Sequence, residues 1–131
     1  MKDSLRPFLW FLIASIIFIW IDILTGHLGG KLHNVLMWVP LLVLPAAALS
    51  ALAIIVQGSQ KKNQMFLKWA SWLLILTGLL GSYLHGSAVF GKLQGSIQWE
   101  VLAQMIRYPP VLAPLSITGL GIFGLLLHKD R

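Results

Sequence analysis

Four long apolar segments, separated by short polar or glycine-rich stretches, make up most of this sequence. They run over about residues 7–26, 35–56, 65–85 and 110–127. A helix needs about 20 consecutive apolar residues to cross the hydrocarbon core of a bilayer. The segments approach or meet that length. They are continuous rather than alternating, so they predict transmembrane helices and not the strands of a barrel.

The overall composition indicates that lipid surrounds these helices. Hydrophobic residues make up 57% of the 131 residues and charged residues only 11%, and the mean hydropathy is +0.81. A soluble domain is about a quarter charged, so this chain carries more apolar surface than one small core can bury. The sequence therefore predicts one all-α integral membrane domain over residues 1–131, with the lipid bilayer as its main partner.

Charge and cysteine content exclude several classes of function. The net charge of +6 is spread over the ends of the apolar runs and does not line one face, so we expect no nucleic-acid partner. The chain has no cysteine, which excludes a disulfide framework, a thiolate metal site and thiol redox chemistry.

The stretch between the third and fourth apolar segments has a different pattern. Polar residues such as Glu100 and Arg107 stand among apolar ones that recur at four-residue steps, as on one face of a helix. Ser96 is suited to cap the N-terminus of this helix, and Pro109 would end it. This predicts a short amphipathic helix at the membrane interface, over about residues 96–107. The predicted fold class is thus a four-transmembrane-helix bundle with one interfacial helix between helices 3 and 4.

The distribution of Lys and Arg predicts the orientation in the membrane. Seven of these cations lie in the N-terminal segment, the second loop with its flank, and the C-terminal segment, whereas three lie in the other two connections. Cytoplasmic connections carry the excess of positive charge. We therefore expect four crossings with both termini cytoplasmic, in a bacterial inner membrane.

This topology gathers six of the chain's few ionisable groups at the outer end of the bundle, including three of its four histidines: Asp22, His27, His33, His85, Glu100 and Arg107. Asp22 is the most informative of them, because an acid at the centre of a transmembrane helix costs about 2.5–3.5 kcal/mol, and less near the interface. An ion pair with Arg107 or Lys31, a hydrogen bond to a histidine, a metal, or a role in proton handling would each offset that cost.

Two cofactor hypotheses follow from the histidines. His27 and His85 close helices 1 and 3 at similar depth, as the two axial ligands of a haem b would, and the glycines at positions 78 and 81 would leave room for the macrocycle. Alternatively, His27, His33 and His85, with Asp22 or Glu100, would bind a divalent metal such as zinc, copper or iron. A third interpretation needs no cofactor: the histidines lie at the membrane interface and form hydrogen bonds with carbonyl groups or lipid headgroups.

The third apolar segment carries small residues on one face. Thr77, Gly81 and His85 recur every fourth residue, with Gly78 adjoining them, and this spacing predicts a face that packs against another helix.

Two further motifs have plain structural readings. Tyr108 with the two prolines after it lines a quinone or lipid pocket or, more simply, forms a rigid entry to helix 4. The segment 119–124 matches G-x-G-x-x-G, but it lies inside an apolar helix and not after a strand. We expect close helix packing there, and an exposed glycine face that would contact a second copy or another subunit.

The sequence thus leaves two functions from different classes open. The first is a small membrane redox protein that binds a metal or haem and transfers electrons at its outer face. The second is a non-catalytic membrane subunit or assembly partner, in which Asp22, Arg107, Tyr108 and the histidines form a structural polar network. The membrane interior holds too few ionisable groups for a proton or transport pathway across about 30 Å.

Overall fold

The computed structural model describes residues 5–29, 35–90 and 112–129, and it describes side chains for 5–26, 35–87 and 113–128. These residues form four helices and contain no strand. The helices are α1 (Arg6–Gly29), α2 (Trp38–Gln57), α3 (Lys61–Phe90) and α4 (Leu112–Lys129). A 3₁₀ turn, Val35–Met37, leads into α2. The predicted interfacial helix over residues 96–107 lies outside the described residues.

The helix bounds agree with the four predicted segments, with one large difference in α3. This helix begins at Lys61 and has 30 residues, whereas the sequence predicted residues 65–85. The polar residues before Met65 belong to its first turn because Asn63 is buried against the end of α2. In α2, Pro40 lies in the first turn, where proline is tolerated, and Pro45 lies inside the helix.

The helices form a ring in which each one packs against its two neighbours. α1 contacts α2 and α4, and α3 contacts α2 and α4, with the most extensive interface between α3 and α4. Trp20, late in α1, contacts Leu41, early in α2, and Phe8, early in α1, packs edge-on against Phe123, late in α4. Neighbouring helices are therefore antiparallel, as in an up-down-up-down bundle.

This arrangement gives the bundle two ends. We call the end that holds the start of α1, the α2–α3 turn and the finish of α4 the terminal end. The opposite end, where α1 and α3 finish and α2 and α4 begin, is the distal end. α1 and α3 lie across the diagonal of the bundle from each other, with α2 and α4 between them.

Apolar side chains fill the interior and also cover the outside. The interior side chains with at most 1% exposure include Leu9, Leu12, Ile16, Leu44, Ile54, Leu67 and Leu74. On the outside, Phe18 is 76% exposed, and Leu42 is 67% exposed. Three helices are long and apolar enough to cross a membrane, and at most 33% of each span is buried. The apolar stretch of α4, Ala113–His128, is shorter.

The α2–α3 turn is held by a network of polar groups. Gly58 ends α2 with a φ of 82°, which favours glycine, and the Gln60 N–H donates to the Gly58 carbonyl oxygen at 2.9 Å. The buried Asn63 amide also donates to the Gly58 carbonyl oxygen, at 3.2 Å. It thereby gives a second hydrogen bond to a carbonyl that, lying at the end of α2, has no partner within the helix.

Glycines bring α3 and α4 into close contact, as the spacing in α3 predicted. A Cβ on Gly78 would lie 2.5 Å from the Pro114 carbonyl oxygen, and one on Gly121 would lie 2.6 Å from the Ser71 carbonyl oxygen. Gly124 faces the Ser71 hydroxyl. The expectation of an exposed glycine face on α4 is therefore wrong for Gly121 and Gly124, because both are buried against α3; only Gly119 in this motif faces open space.

Candidate functional site at the distal end

The distal end brings two of the predicted site residues to the same part of the bundle. Asp22 lies in the last turns of α1, and His85 lies near the end of α3. His27 also lies within α1, but its side chain is outside the described set. His33, Glu100, Arg107 and Tyr108 lie outside the described residues altogether. The structure therefore places part of the predicted cluster, and the assembly of the whole cluster stays a prediction.

Asp22 faces away from the bundle. Its side chain is exposed, between the exposed Phe18 and Thr25 on the same face of α1. The Thr25 hydroxyl donates to the main-chain oxygen of Asp22 at 2.9 Å, and not to its carboxylate. No hydrogen bond or ion pair reaches that carboxylate from any residue that the structure describes. The predicted ion pair with Arg107 or Lys31 is not tested by the described residues.

His85 occupies a different environment. It is partly buried and lies one turn beyond Gly81, the last glycine that packs against α4. The neighbouring Gly86 is buried as well, with open space where a side chain would extend. The imidazole of His85 is thus half enclosed at the distal end, whereas the Asp22 carboxylate is on the outer surface of the bundle.

The structure corrects one premise of the haem hypothesis. The space beside Gly78 and Gly81 was expected to accommodate a macrocycle, but α4 occupies it. A Cβ on Gly81 would lie 3.0 Å from Cβ of Pro114, and the backbone of Thr118 approaches Gly78 even more closely. These glycines serve helix packing. In addition, α1 and α3 lie on opposite corners of the bundle and do not pack on each other. A haem bound by His27 and His85 would therefore have to lie beyond the packed contact between α3 and α4.

The metal hypothesis depends on residues beyond the described part of the chain. Within the described ranges, no group of three or more His, Asp or Glu side chains is placed to hold a metal ion. Three of the five predicted ligands have side chains outside those ranges: His27, His33 and Glu100. The metal-ligand set of Asp22, His27, His33, His85 and Glu100 therefore stays a prediction.

Sequence reasoning missed a hydrogen bond that joins α1 to α2. Pro45 has no N–H, so the carbonyl of Leu41, four residues earlier, has no helical donor. The indole N–H of Trp20 donates to this carbonyl oxygen at 3.0 Å. The signal in the sequence was a proline inside an apolar helix, which always leaves one carbonyl to satisfy. The identity of the donor required the tertiary structure.

A second missed feature is Ser71, in the middle of α3. It is 1% exposed, and its hydroxyl has no hydrogen-bond partner among the described residues. The side chain is small enough to let Gly121 and Gly124 approach. Ser71 thus extends the predicted small-residue stripe of α3, which includes the buried Thr77, by two turns toward the terminal end.

Comparisons with known proteins add no family to this description. No protein-family model matches the chain, and neither the curated proteins nor the solved structures contain a significant match. The class that the fold defines is an all-helical four-helix bundle with three helices suited to crossing a membrane.

Proposed function

We propose that this protein is an integral membrane bundle with four crossings that serves as a non-catalytic subunit or assembly partner of a membrane complex. One observation carries the proposal: apolar side chains form both the interior and the exterior along the length of the bundle. Such an exterior is stable only in lipid or against another apolar protein surface. In this proposal the polar residues that the sequence predicts at the distal end, Asp22, Arg107, Tyr108 and the histidines, form a structural network.

The charges and tryptophans support an orientation with the terminal end in the cytoplasm. Lys61, Lys62 and Lys68 are exposed at or near that end. Trp10 and Trp69, which lie toward the same end, are 52% and 63% exposed, and Trp38 at the distal end is 47% exposed. Exposed tryptophans at two levels are typical of the two interfaces of a bilayer.

The helix α4 is short for a membrane crossing, but its close packing against α3 supports a fourth crossing. Its 18 residues span about 27 Å at 1.5 Å per residue, slightly less than the hydrocarbon thickness of about 30 Å. Close contact with α3 at Gly78 and Gly121 holds α4 in the same layer as the longer helix. We therefore retain four crossings in the proposal.

The polar groups within the spans support a structural role. The hydroxyls of Ser50, Ser82 and Thr118 donate to the main-chain carbonyl four residues earlier in their own helices. Such bonds satisfy a hydroxyl in lipid without any partner outside the helix. The described interior offers these hydroxyls no chain of acids and histidines through which a proton could pass.

Two measurements test the proposal. The protein should stay in the membrane pellet after alkaline carbonate extraction, and in mild detergent it should migrate in an assembly larger than the 14.5 kDa chain with its micelle. A soluble fraction after extraction would contradict membrane insertion. A chain that is monomeric in every mild detergent would contradict the subunit role but not the membrane insertion.

A metal or haem site at the distal end is the second proposal, favoured by the half-enclosed His85 at the end of α3. Such a site would make the protein an electron-transfer or metal-binding protein, with His27 and His85 as haem ligands, or with His33, Asp22 and Glu100 joining them around zinc, copper or iron. A haem Soret band in the absorbance spectrum and elemental analysis of protein extracted without chelators test it. Loss of the signal in both His27→Ala and His85→Ala would support it, and a colourless, metal-free preparation would contradict it.

A further inference from the structure

The start of α3 carries positive charge that no acid of the described chain offsets. Lys61, Lys62 and Lys68 are exposed, and the first turn of α3 contains no acid. Cations are unfavourable at the start of a helix, because the helix dipole is positive there. The only acid with a described side chain, Asp22, lies at the distal end. The three sequence segments at the terminal end hold seven cations and two acids. This end of the bundle therefore attracts anions from outside the chain.

Two of these lysines lie on one face of α3. Lys61 and Lys68 are two turns apart, which is about 10 Å along the helix axis. Side chains lean toward the N-terminus of their helix, so the side chain of Lys68 leaves the backbone in the direction of Lys61. Lys68 lies within the apolar span Lys61–Ser87, where a lysine extends its ammonium group to the membrane interface. Both ammonium groups can therefore approach a single anion at that interface.

The same face continues with apolar side chains toward the distal end. Trp72, Leu76 and Leu79 follow Lys68 at steps of four, four and three residues, and they are 45%, 59% and 52% exposed. An exposed tryptophan at this level is typical of the membrane interface. The five residues, with Lys61, form what we call the lysine face, which has cations at the interface and an apolar strip beyond them. This order matches the headgroup and the acyl chains of one lipid molecule.

We propose that the lysine face binds an anionic phospholipid, with the phosphate between Lys61 and Lys68 and the acyl chains along Trp72, Leu76 and Leu79. The inference rests on the proposed membrane insertion. Charge complementarity carries it, because each lysine near a membrane surface strengthens the attraction to anionic lipid by about fivefold. A zwitterionic headgroup has a cation of its own beside the phosphate and is a poorer match for two lysines.

Other described cations at the terminal end lack this arrangement. The Lys62 ammonium lies 5.8 Å from the centre of the Phe66 ring, in a cation–π contact on a neighbouring side of α3. Arg6 is the only cation of α1, which lies across the diagonal of the bundle from α3. Lys62 and Arg6 carry the same charge at the same end of the bundle as the lysine face. They are therefore matched controls for it.

Native mass spectrometry of the full chain in a mild non-ionic detergent tests the lipid site, with phosphatidylglycerol and phosphatidylcholine as the two probes. We expect the first phosphatidylglycerol to bind several-fold more tightly than phosphatidylcholine. Lys61→Gln and Lys68→Gln should each raise its Kd by about fivefold, whereas Lys62→Gln and Arg6→Gln should raise it by less than about twofold. Lys68→Arg keeps the charge and should keep the affinity, which separates loss of the cation from damage to the helix.

Three outcomes would overturn the proposal. Equal affinity for the two lipids would show that the face does not select anionic headgroups. Equal weakening by all four glutamine variants would show a diffuse attraction to the terminal end and no site on one face. Displacement of the lipid by inorganic phosphate would assign the lysines to a free anion. Carbonate extraction separates these results from a failure of the proposed function, because a chain that resists extraction but shows no lipid preference contradicts the lipid site alone.

Discussion

The indole N–H of Trp20 donates to the carbonyl oxygen of Leu41 at 3.0 Å, and Leu41 is the residue whose helical partner Pro45 cannot donate. In an apolar interior an unsatisfied carbonyl is costly, so the proline in α2 and the tryptophan in α1 form one structural unit. The bond also fixes the register of the two helices at the distal end, close to Asp22.

This unit predicts a specific pattern in a double-mutant cycle. Trp20→Phe should lower the free energy of unfolding by about 1–3 kcal/mol, because it leaves the Leu41 carbonyl unpaired. In a Pro45→Ala background the restored N–H satisfies that carbonyl, so the same substitution should cost about 1 kcal/mol less. Denaturant titration in detergent micelles measures both. Trp72→Phe, on an exposed face, is the control, and an equal cost of Trp20→Phe in the two backgrounds would contradict the pairing.

The glycines of α4 predict three different responses to alanine. Gly121→Ala places a methyl group 2.6 Å from the Ser71 carbonyl oxygen and should destabilise the bundle by about 1–3 kcal/mol. Gly119→Ala meets nothing within 4 Å and should be neutral or stabilise by up to about 1 kcal/mol, since alanine favours the helix. The midpoint of thermal unfolding in one detergent ranks the variants.

Gly124→Ala should behave in a third way, because its new methyl group would collide with a side chain, the Ser71 hydroxyl. Removing that hydroxyl with Ser71→Ala should recover part of the loss, although the two Cβ atoms would still be only 3.3 Å apart. The same Ser71→Ala change should not rescue Gly121→Ala, whose obstacle is backbone. Rescue of both variants, or of neither, would show that the helices pack differently.

The α2–α3 turn depends on hydrogen-bond donors that reach the Gly58 carbonyl oxygen, and Asn63 is the side chain at which this can be tested. Asn63 is 5% exposed and donates to the Gly58 carbonyl oxygen at 3.2 Å. Asn63→Asp preserves the shape but replaces the donor with an acceptor, and it should cost at least as much as Asn63→Ala, about 1–3 kcal/mol. Gln60→Ala is the control at an exposed position of the same turn, and it should lower the free energy of unfolding by about 0.5 kcal/mol or less. A tolerated Asn63→Asp would refute the capping role.

The proposed topology predicts which cysteines a membrane-impermeant thiol reagent reaches. In intact cells or right-side-out vesicles, Lys31→Cys should react and Lys61→Cys should react only after the membrane is opened. Inside-out vesicles should give the reverse. Because both variants remove one lysine from an otherwise unchanged chain, each is the control for the other. Reaction of both from the same side would exclude the antiparallel crossing of α2.

Much of the helical fold could be predicted from periodicity and composition, because long continuous apolar segments favour helices over strands. The presence of four helices is confirmed, and the contact face of α3 at Gly78 and Gly81 is confirmed as well. The start of α3 was missed because Asn63 appears polar in sequence but is buried in the turn. The orientation of the α4 glycines was also missed, since a glycine in a helix indicates close approach without indicating to which neighbour.

For the candidate site, the sequence determined which groups are available: one acid within the first span, histidines at the span ends, and no cysteine. Only the tertiary structure decided where they point. Asp22 is exposed because α2 and α4 cover other sides of α1. The space beside Gly78 is filled because Pro114, 36 positions away, packs there. Local sequence fixes the periodicity of each helix, whereas its rotation about its own axis is set by packing against neighbours that are distant along the chain.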